Sequence, residues 1–396
     1  MRILHFLMWV RADIGGPARA VTDLCAALAR RGHHVSLATT DASDVPPDWA
    51  RGDAASPQTT VHTSGLPAVY TVPPPSIPGG FFSPASMARF RALIAQHDVL
   101  HLHGAWGSFN VQLGNAARKL GKPYFISIRG MLDDWCMAQK STKKTLFLKL
   151  GGTRWYENAA RVHLTAQFEY EQARKYFPRG RGTVIPNLLD MTPFRTLPSE
   201  EIARAKFPHL NSGEPVLLFL SRVHVKKGIE VLLRAVKILN TSGTPCRAII
   251  AGSGDEPYVA SLKSLCAELN LNDRVAFVGL VKGDEKLSLY RASTLFVLPT
   301  SQENFGFVFA ESLACATPLV TTKGVDIWPE LQSSGAASIA PPTPEATAEA
   351  VRQMLAKGPA ALKAAGEQGR AWVFDWLNPD RVLDQFEAMY RLQDGK

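Results

Sequence analysis

Short apolar runs alternate with stretches of helical spacing along almost the whole chain, and this alternation restricts the fold more than any other feature. Where each strand-like run is followed by a helix-length segment before the next, the strands lie parallel, because parallel neighbours need a crossover connection. Residues 3–9 read as a strand, followed by a glycine loop. A helix then starts near Ala18 and ends near Arg30, with Val21, Leu24, Cys25 and Leu28 at helical spacing. Gly32 stops it before a second strand at 34–39. Runs at 99–102, 124–128 and 162–165 continue the series. Past Pro186-Asn187-Leu188-Leu189-Asp190 a second series begins, with strands at 216–221, 247–251, 275–278, 295–299 and 318–321. The expected class is α/β, with two Rossmann-like halves over 1–190 and 191–375. The proline-rich stretch 65–84 reads as a long, partly mobile loop rather than a domain linker. Val382, Leu383, Phe386, Met389 and Tyr390 share one face of a final packing helix.

A chain of 396 residues has room for two or three domains. With 46% hydrophobic and 20% charged residues it is neither disordered, collagen-like nor a coiled coil. The 44 Lys+Arg and 35 Asp+Glu give a net charge of +9, and its position is informative. Residues 1–190 carry 22 basic and 13 acidic groups (22 − 13 = +9), while 191–396 carry 22 of each. An anionic partner is therefore expected for the first half: a nucleic acid, a membrane surface or a phosphorylated substrate. The five cysteines are widely spaced without a C-x-x-C pair, which suggests neither a zinc site nor a disulfide framework and fits a reducing cytoplasm. No apolar run reaches the length of a membrane-spanning helix, and the short run at the start reads as a buried strand rather than a leader.

Four stretches have the residue types for chemistry. Gly15 and Gly16 precede a helix N-terminus, where backbone N–H groups can meet an anion; the same loop also reads as an ordinary tight turn. Neither this loop nor Gly252-Ser253-Gly254 completes a dinucleotide fingerprint, and a Walker loop is absent. His101 and His103 fall on one face at the end of a strand, followed by Gly104; they read either as ligand-facing groups or as satisfied buried histidines. There is no D-x-D, so a bound divalent cation is not expected. Arg222 and Lys227 flank the turn after the first strand of the second half, beside a helix N-terminus suited to a pyrophosphate. Glu303 and Glu311 bracket Asn304-Phe305-Gly306-Phe307, with Glu303 in a loop and Glu311 one turn into the following helix. Two carboxylates in such a setting require cationic or hydroxyl-rich partners, and a sugar and a ribose supply hydroxyls.

In order and spacing these motifs resemble the retaining nucleotide-sugar glycosyltransferases of the GT-B fold, family four, over nearly the whole chain. Further matching residues are Ile185-Pro186-Asn187, Ala314-Cys315-Ala316-Thr317-Pro318 and Trp328-Pro329-Glu330-Leu331. The resemblance implies two domains facing across a cleft, with residues 376–396 returning to the first. It implies that Arg222 and Lys227 bind the donor diphosphate and that Glu311 binds the ribose. Glu303, with Asn304 and the backbone of Phe305, Gly306 and Phe307, would hold the transferred sugar. Gly15 and Gly16 would approach the phosphate, Gly279 and Val281 the base, and His103 would lie beside the sugar. The donor would be a UDP- or GDP-sugar, with no cofactor or metal.

Ser127-Ile128-Arg129-Gly130-Met131-Leu132-Asp133 resembles a subgroup found in cell-surface polysaccharide assembly, which places Arg129 and Asp133 on the acceptor side. Its acceptor would be a glycan or a polyprenyl-diphosphate-linked sugar. Lys140, Lys143, Lys144, Lys149 and Arg154 interleave with Leu146, Phe147, Leu148, Leu150, Trp155 and Tyr156. Residues 140–156 therefore read as a surface for peripheral contact with an anionic membrane, or as a helix with one wet face. An epimerase or phosphorylase on the same architecture is the alternative enzyme. A nucleic-acid-binding protein is disfavoured, because the basic residues are not set in a recognisable nucleic-acid motif.

Overall fold

The computed structural model describes residues 1–11, 15–54 and 65–392. Asp13 and Ile14 of the first glycine loop lie outside them. The first sheet contains β1 (Arg2–Phe6), β2 (His34–Thr39), β3 (Ala50–Gly52), β4 (Ala68–Thr71), β5 (Val99–His103), β6 (Tyr124–Ser127), β7 (Arg161–Leu164) and β8 (Gly182–Val184). The second contains β9 (Val216–Leu220), β10 (Arg247–Ala251), β11 (Val275–Gly279), β12 (Leu295–Leu298), β13 (Leu319–Thr322) and β14 (Ala337–Ala340). Their orders are β3-β4-β2-β1-β5-β6-β7-β8 and β11-β10-β9-β12-β13-β14, with every strand pair parallel.

In both orders the winding direction reverses beside the first strand of the sheet, and ligands bind outside the carboxyl ends of strands at such a switch point. In the first sheet the reversal lies between β1 and β5, the strand that ends at His103. In the second it lies between β9, which leads into Ser221–Gly228, and β12, which leads into Pro299–Gly306. The topology thus puts the motif-bearing loops at the positions where such sheets bind ligands.

Burial explains the strand patterns. Val216-Leu217-Leu218-Phe219-Leu220 is buried throughout, as a central strand covered on both faces must be. In β1, Leu4 and Phe6 enter one core cluster, while Ile3 enters another with Val35, Leu37, Val99 and Phe125. The stretch 65–84 is not simply a mobile loop. Its Ala68–Thr71 is strand β4, paired with β2 and β3, and the prolines at 73–75, lacking N–H donors, follow where the ladder stops.

The chain divides into two units, Met1–Leu189 with Pro379–Lys396, and Asp190–Asn378. The last helix, Pro379–Tyr390, buries Val382, Leu383, Phe386, Met389 and Tyr390 in the cluster that contains Ile3 and Val99. At its edge Arg31 pairs with Asp380 at 2.9 Å, with Asp384, and with Glu387 at 3.4 Å. No helix among the described residues is long and apolar enough to cross a membrane.

Candidate active site

In the second unit, two loops at the switch point are joined through one carbonyl. Lys226 O accepts from Ser301 N at 2.8 Å, Thr300 Oγ1 at 2.9 Å and Ser301 Oγ at 3.2 Å. Gly228, at φ +68°, makes this approach possible, because a Cβ there would stand 2.1 Å from Pro299 O. Gly228 also precedes the helix Ile229–Thr241. Lys227 is buried and pairs with Glu303, while Arg222 is exposed. Glu303 is fixed through its backbone, its N–H donating to Gly324 O (2.7 Å) and its C=O accepting from Asp326 N (3.0 Å). Asn304 Nδ2 donates to Asp326 Oδ2 at 2.9 Å.

Gly306, at φ +60°, opens the helix Phe307–Ala314, whose N-terminus has no side-chain cap. A Cβ on Gly306 would meet the Phe309 ring at 2.7 Å and Glu303 Cγ at 2.9 Å, so glycine lets the helix start directly behind the carboxylate. Phe305 turns inward, stacked on Trp376 with ring centroids 5.6 Å apart. Glu311 is 2% exposed and Lys286 Nζ lies 3.1 Å from its Oε1, which neutralises a carboxylate that burial would otherwise penalise. Gly279 adopts φ +72° and its carbonyl accepts from Gly252 N at 2.7 Å; Val281 is buried. Gly252-Ser253-Gly254, without a fingerprint, instead lets two loops touch: Cβ atoms at Gly252 and Gly254 would stand 1.8 Å from Ser221 O and 2.3 Å from Val223 O.

In the first unit, Gly15 at φ +80° precedes the helix Gly16–Arg30, and nothing among the described residues lies within 4 Å of a Cβ built on Gly16. His103 is buried at the end of β5, and the hydrogen bonds around it determine which nitrogen carries the proton. Arg129 Nη2 lies 3.0 Å from His103 Nδ1, and a guanidinium only donates, so Nδ1 accepts. The proton is then on His103 Nε2, which donates to His5 Nδ1 at 3.0 Å. His5 is left with Nε2–H, buried and without a hydrogen-bond partner among the described residues.

A second relay is oriented by a backbone carbonyl. His163 Nε2 donates to Ile185 O at 2.8 Å, so its Nδ1 accepts from Ser127 Oγ at 2.6 Å. Ser127 Oγ in turn accepts from His101 Nε2 at 2.8 Å, and His101 Nδ1 accepts from Tyr390 Oη at 2.7 Å. Burial is the main cause holding all four imidazoles neutral: His5 and His163 are lowered to about 3, and His101 and His103 lie well below the ordinary histidine value. The Arg129 guanidinium adds to the effect on each. Burial also brings Arg129 down to about 10, which leaves it cationic at neutral pH.

Arg129 sits in the left-handed region at φ +53°, an uncommon conformation for a residue with a side chain. Glu169 holds the turn, accepting from Gly130 N at 2.5 Å and from Thr165 N at 2.6 Å. Asn187 Oδ1 accepts from Arg129 Nη1 at 3.1 Å. Asp133 is buried and caps the helix Asp134–Ala138, accepting from Cys136 N at 2.5 Å. The ring nitrogens of His5, His101 and His103 include one from each residue within 4.8 Å of one another. A cation there would break the hydrogen bonds that orient the rings and would face the Arg129 guanidinium.

Of the motifs picked out in the sequence, the structure brings Lys227, Glu303 and Gly306 together in the second unit and His101, His103 and Arg129 together in the first. Sequence reasoning missed His5, Ser127 and His163, contributed by β1, β6 and β7, as well as Tyr390, Glu169 and Lys286. Only β1 to β5 pairing in the register His5↔His101 brings the first histidine to the others, and no local spacing signals it.

Two family models match the chain, a glycosyl transferase 4-like domain over 15–188 and the group 1 glycosyl transferases over 201–372. An uncharacterized glycosyltransferase of Methanocaldococcus jannaschii is 28% identical over 320 residues, 78% of this chain and 77% of that protein. A D-inositol 3-phosphate glycosyltransferase of Segniliparus rotundus is 24% identical over 98% of this chain and 88% of its own. Anabaena HepE in complex with UDP has the same fold, with a TM-score of 0.75 at 18% identity over 98% of each chain. With two Rossmann-like sheets, a C-terminal helix that rejoins the first unit and both family models matched, the chain belongs to the group 1 glycosyltransferases, retaining nucleotide-sugar enzymes of family four with the GT-B fold.

Proposed function

We propose that this enzyme moves a hexose from a UDP- or GDP-sugar to a glycan or lipid-linked acceptor in cell-surface polysaccharide assembly, without a metal ion. The observation that carries the reading is the pairing of buried Lys227 with half-buried Glu303 beside the uncapped helix at Phe307, at the switch point of the second sheet. In the ligand-free protein the two charges satisfy each other. A bound donor replaces that contact, its diphosphate taking Lys227 and Arg222 while its sugar hydroxyls take Glu303 and the backbone at 305–307. Glu311 receives the ribose, the backbone at Gly279 and Val281 the base, and Gly15 and Gly16 approach the phosphate. The complex of HepE with UDP supports a uridine donor.

Transfer proceeds by front-face displacement with retention, the departing diphosphate oxygen helping to take the acceptor proton. Arg222 and Lys227 stabilise charge that grows on the diphosphate and so bind the transition state more strongly than the ground state. On the acceptor side, Arg129 supplies a fixed cation and Asp133 fixes the turn. His103, neutral and protonated on Nε2, redirects that N–H from His5 to a sugar oxygen. Residues 140–156 provide the basic, partly apolar contact with the inner face of the membrane that carries a lipid-linked acceptor. Lys144 does not take part, because its ammonium is turned inward onto Cys136 O.

Lys227→Ala and Glu303→Ala should each lower transfer by about 100-fold or more while the protein stays folded, and excess EDTA should leave transfer unchanged. Full transfer by either folded variant would sink the site assignment, and a loss in EDTA restored by a divalent cation would sink the metal-independent mechanism. Thermal stabilisation by UDP-sugars over GDP-sugars identifies the donor.

A further inference from the structure

The first unit contains a pocket of about 470 Å³ away from its histidine cluster, between the helix Ser108–Lys119 and residues 147–158. Ser108, Val111, Asn115 and Arg118 line it from one side. Their spacing of three, four and three residues puts them on one face of the helix over roughly 15 Å. That helix follows β5 and precedes β6, which are parallel, so it runs from the carboxyl edge of the sheet back to the amino edge. The helix Thr153–Glu157 leads into β7 in the same sense. Arg118 and Asn158 therefore lie at the amino edge, with Arg154 one turn before Asn158, and the end of β5 that bears His103 is opposite.

The middle of the pocket is apolar, lined by Phe81, Val111, Phe147, Leu150 and Trp155. Trp155 forms its floor by lying against Gly114, where a Cβ would stand 2.4 Å from the indole Nε1. Phe147 is held edge-on to Trp106, with centroids 5.4 Å apart. At Gly151 the backbone turns to φ +122°, and beside it Leu150, which lines the pocket, is 78% exposed. Covering exposed apolar surface is favourable, so a leucine held in water against an apolar pocket favours an apolar occupant. Neither the Arg118 nor the Arg154 guanidinium has a hydrogen-bond or ion-pair partner among the described residues. Lys143 and Lys149 are exposed on the same segment.

We propose that this pocket binds one anionic phospholipid of the membrane, its phosphate against Arg118 and Arg154 and its chain along Phe81, Val111, Phe147 and Leu150. The inference deepens, and rests on, the reading of the first unit as the membrane-side half of the enzyme. Because the two arginines lie at the edge opposite His103, the lipid bound here is an anchor and not the acceptor that receives sugar.

Dodecyl phosphate below its micelle concentration serves as the probe, with dodecyl maltoside and inorganic phosphate as controls, measured by calorimetry on the full chain. Saturable one-to-one binding of dodecyl phosphate is expected, about tenfold tighter than either control. Arg118→Glu combined with Arg154→Glu, and separately Leu150→Asp, should each weaken it about tenfold and reduce sedimentation with phosphatidylglycerol-containing vesicles. The same variants should retain thermal stabilisation by nucleotide sugar, which reports folding and donor binding in the other unit. Equal binding of the neutral amphiphile, or full dodecyl phosphate binding by both variants, overturns the proposal. Vesicle binding that ignores the variants also overturns it, because adsorption is then diffuse. Competition by a short-chain lipid-diphosphate acceptor for the dodecyl phosphate site would show an acceptor site and overturn the anchor role. Saturable, arginine-dependent binding by a chain that transfers no sugar would leave the pocket standing and remove the transferase reading instead.

Discussion

At the scale of single residues, the geometry of the proposed donor site depends on positions where a side chain has no room. Gly228 and Gly283 make a controlled pair, both in the left-handed region, at φ +68° and +55°. Only Gly228 has a backbone oxygen 2.1 Å from where Cβ would be, whereas nothing lies within 4 Å at Gly283. Gly283→Ala should therefore cost only the conformational strain, about 1–2 kcal/mol. Gly228→Ala should cost several kcal/mol in addition, because the Lys226–Lys227 turn must leave the 299–301 loop. Chemical denaturation of the two variants checks the difference, and donor nucleotide affinity should fall only for Gly228→Ala. A tolerated Gly228→Ala would mean that the two loops are not held as described. The sequence places Gly228 at a turn, but its opposing carbonyl, Pro299 O, comes from a loop 71 residues away (299 − 228). A local reading therefore shows the turn and not the constraint.

At the scale of elements, most central strands were legible because they are continuous apolar runs, as was the edge strand β11, whereas the edge strands β3, β8 and β14 were not. β3 contains Gly52 and β8 contains Gly182, and a glycine normally reads as a strand breaker. Each lies under a tyrosine ring, with a Cβ at Gly52 standing 2.3 Å from Tyr70 and one at Gly182 standing 2.2 Å from Tyr170. The glycine that hides each strand from sequence reading is what lets an aromatic ring cover it. His101 and His103 were legible as a pair, while the relays that hold them run across β1, β5, β6 and β7 and the last helix, and exist only once the sheet is paired. These relays have a pH signature. A histidine unpaired in the unfolded chain titrates near 6.5, well above its folded value here, so below about pH 6.5 the unfolded state binds more protons and stability falls as pH falls. Between pH 6 and 5, His5 and His163 each contribute on the order of 1 kcal/mol, and His101 and His103 act in the same direction, so the loss is a sizeable part of a domain's stability. Thermal unfolding across this range should show the first unit melting earlier by pH 5. The second unit, whose two histidines His209 and His224 are half-buried or exposed, should change little. A first unit unaffected at pH 5 would show that the imidazoles are not held neutral in the core.

At the scale of the whole molecule, the charge excess and the donor chemistry separate. The +9 lies entirely in residues 1–190, and the pair proposed for the donor, Arg222 and Lys227, lies in the electrically neutral remainder. The basic half is left with the proposed acceptor and membrane, and the pocket at Arg118 and Arg154 gives part of that charge a defined position. The units also differ in how they are closed. The second is one continuous stretch, whereas the first needs Pro379–Tyr390 to cover the face that bears His101 and His163. Truncation after Asn378 should therefore retain the unfolding transition of the second unit and remove that of the first, as followed by calorimetry. Two intact transitions in the truncated chain would show that the last helix is dispensable to its unit.

The return of the last helix also fixes an order of events during synthesis. Most of the first unit leaves the ribosome before the second but is completed after it, because Tyr390, which donates to His101, is made only once the whole of Asp190–Asn378 has been synthesised. Until then the face with His101 and His163 lacks its cover, while the continuous second unit already has all of its sequence. The first unit, with its histidine relays, therefore reaches its finished form only after the second has been translated in full.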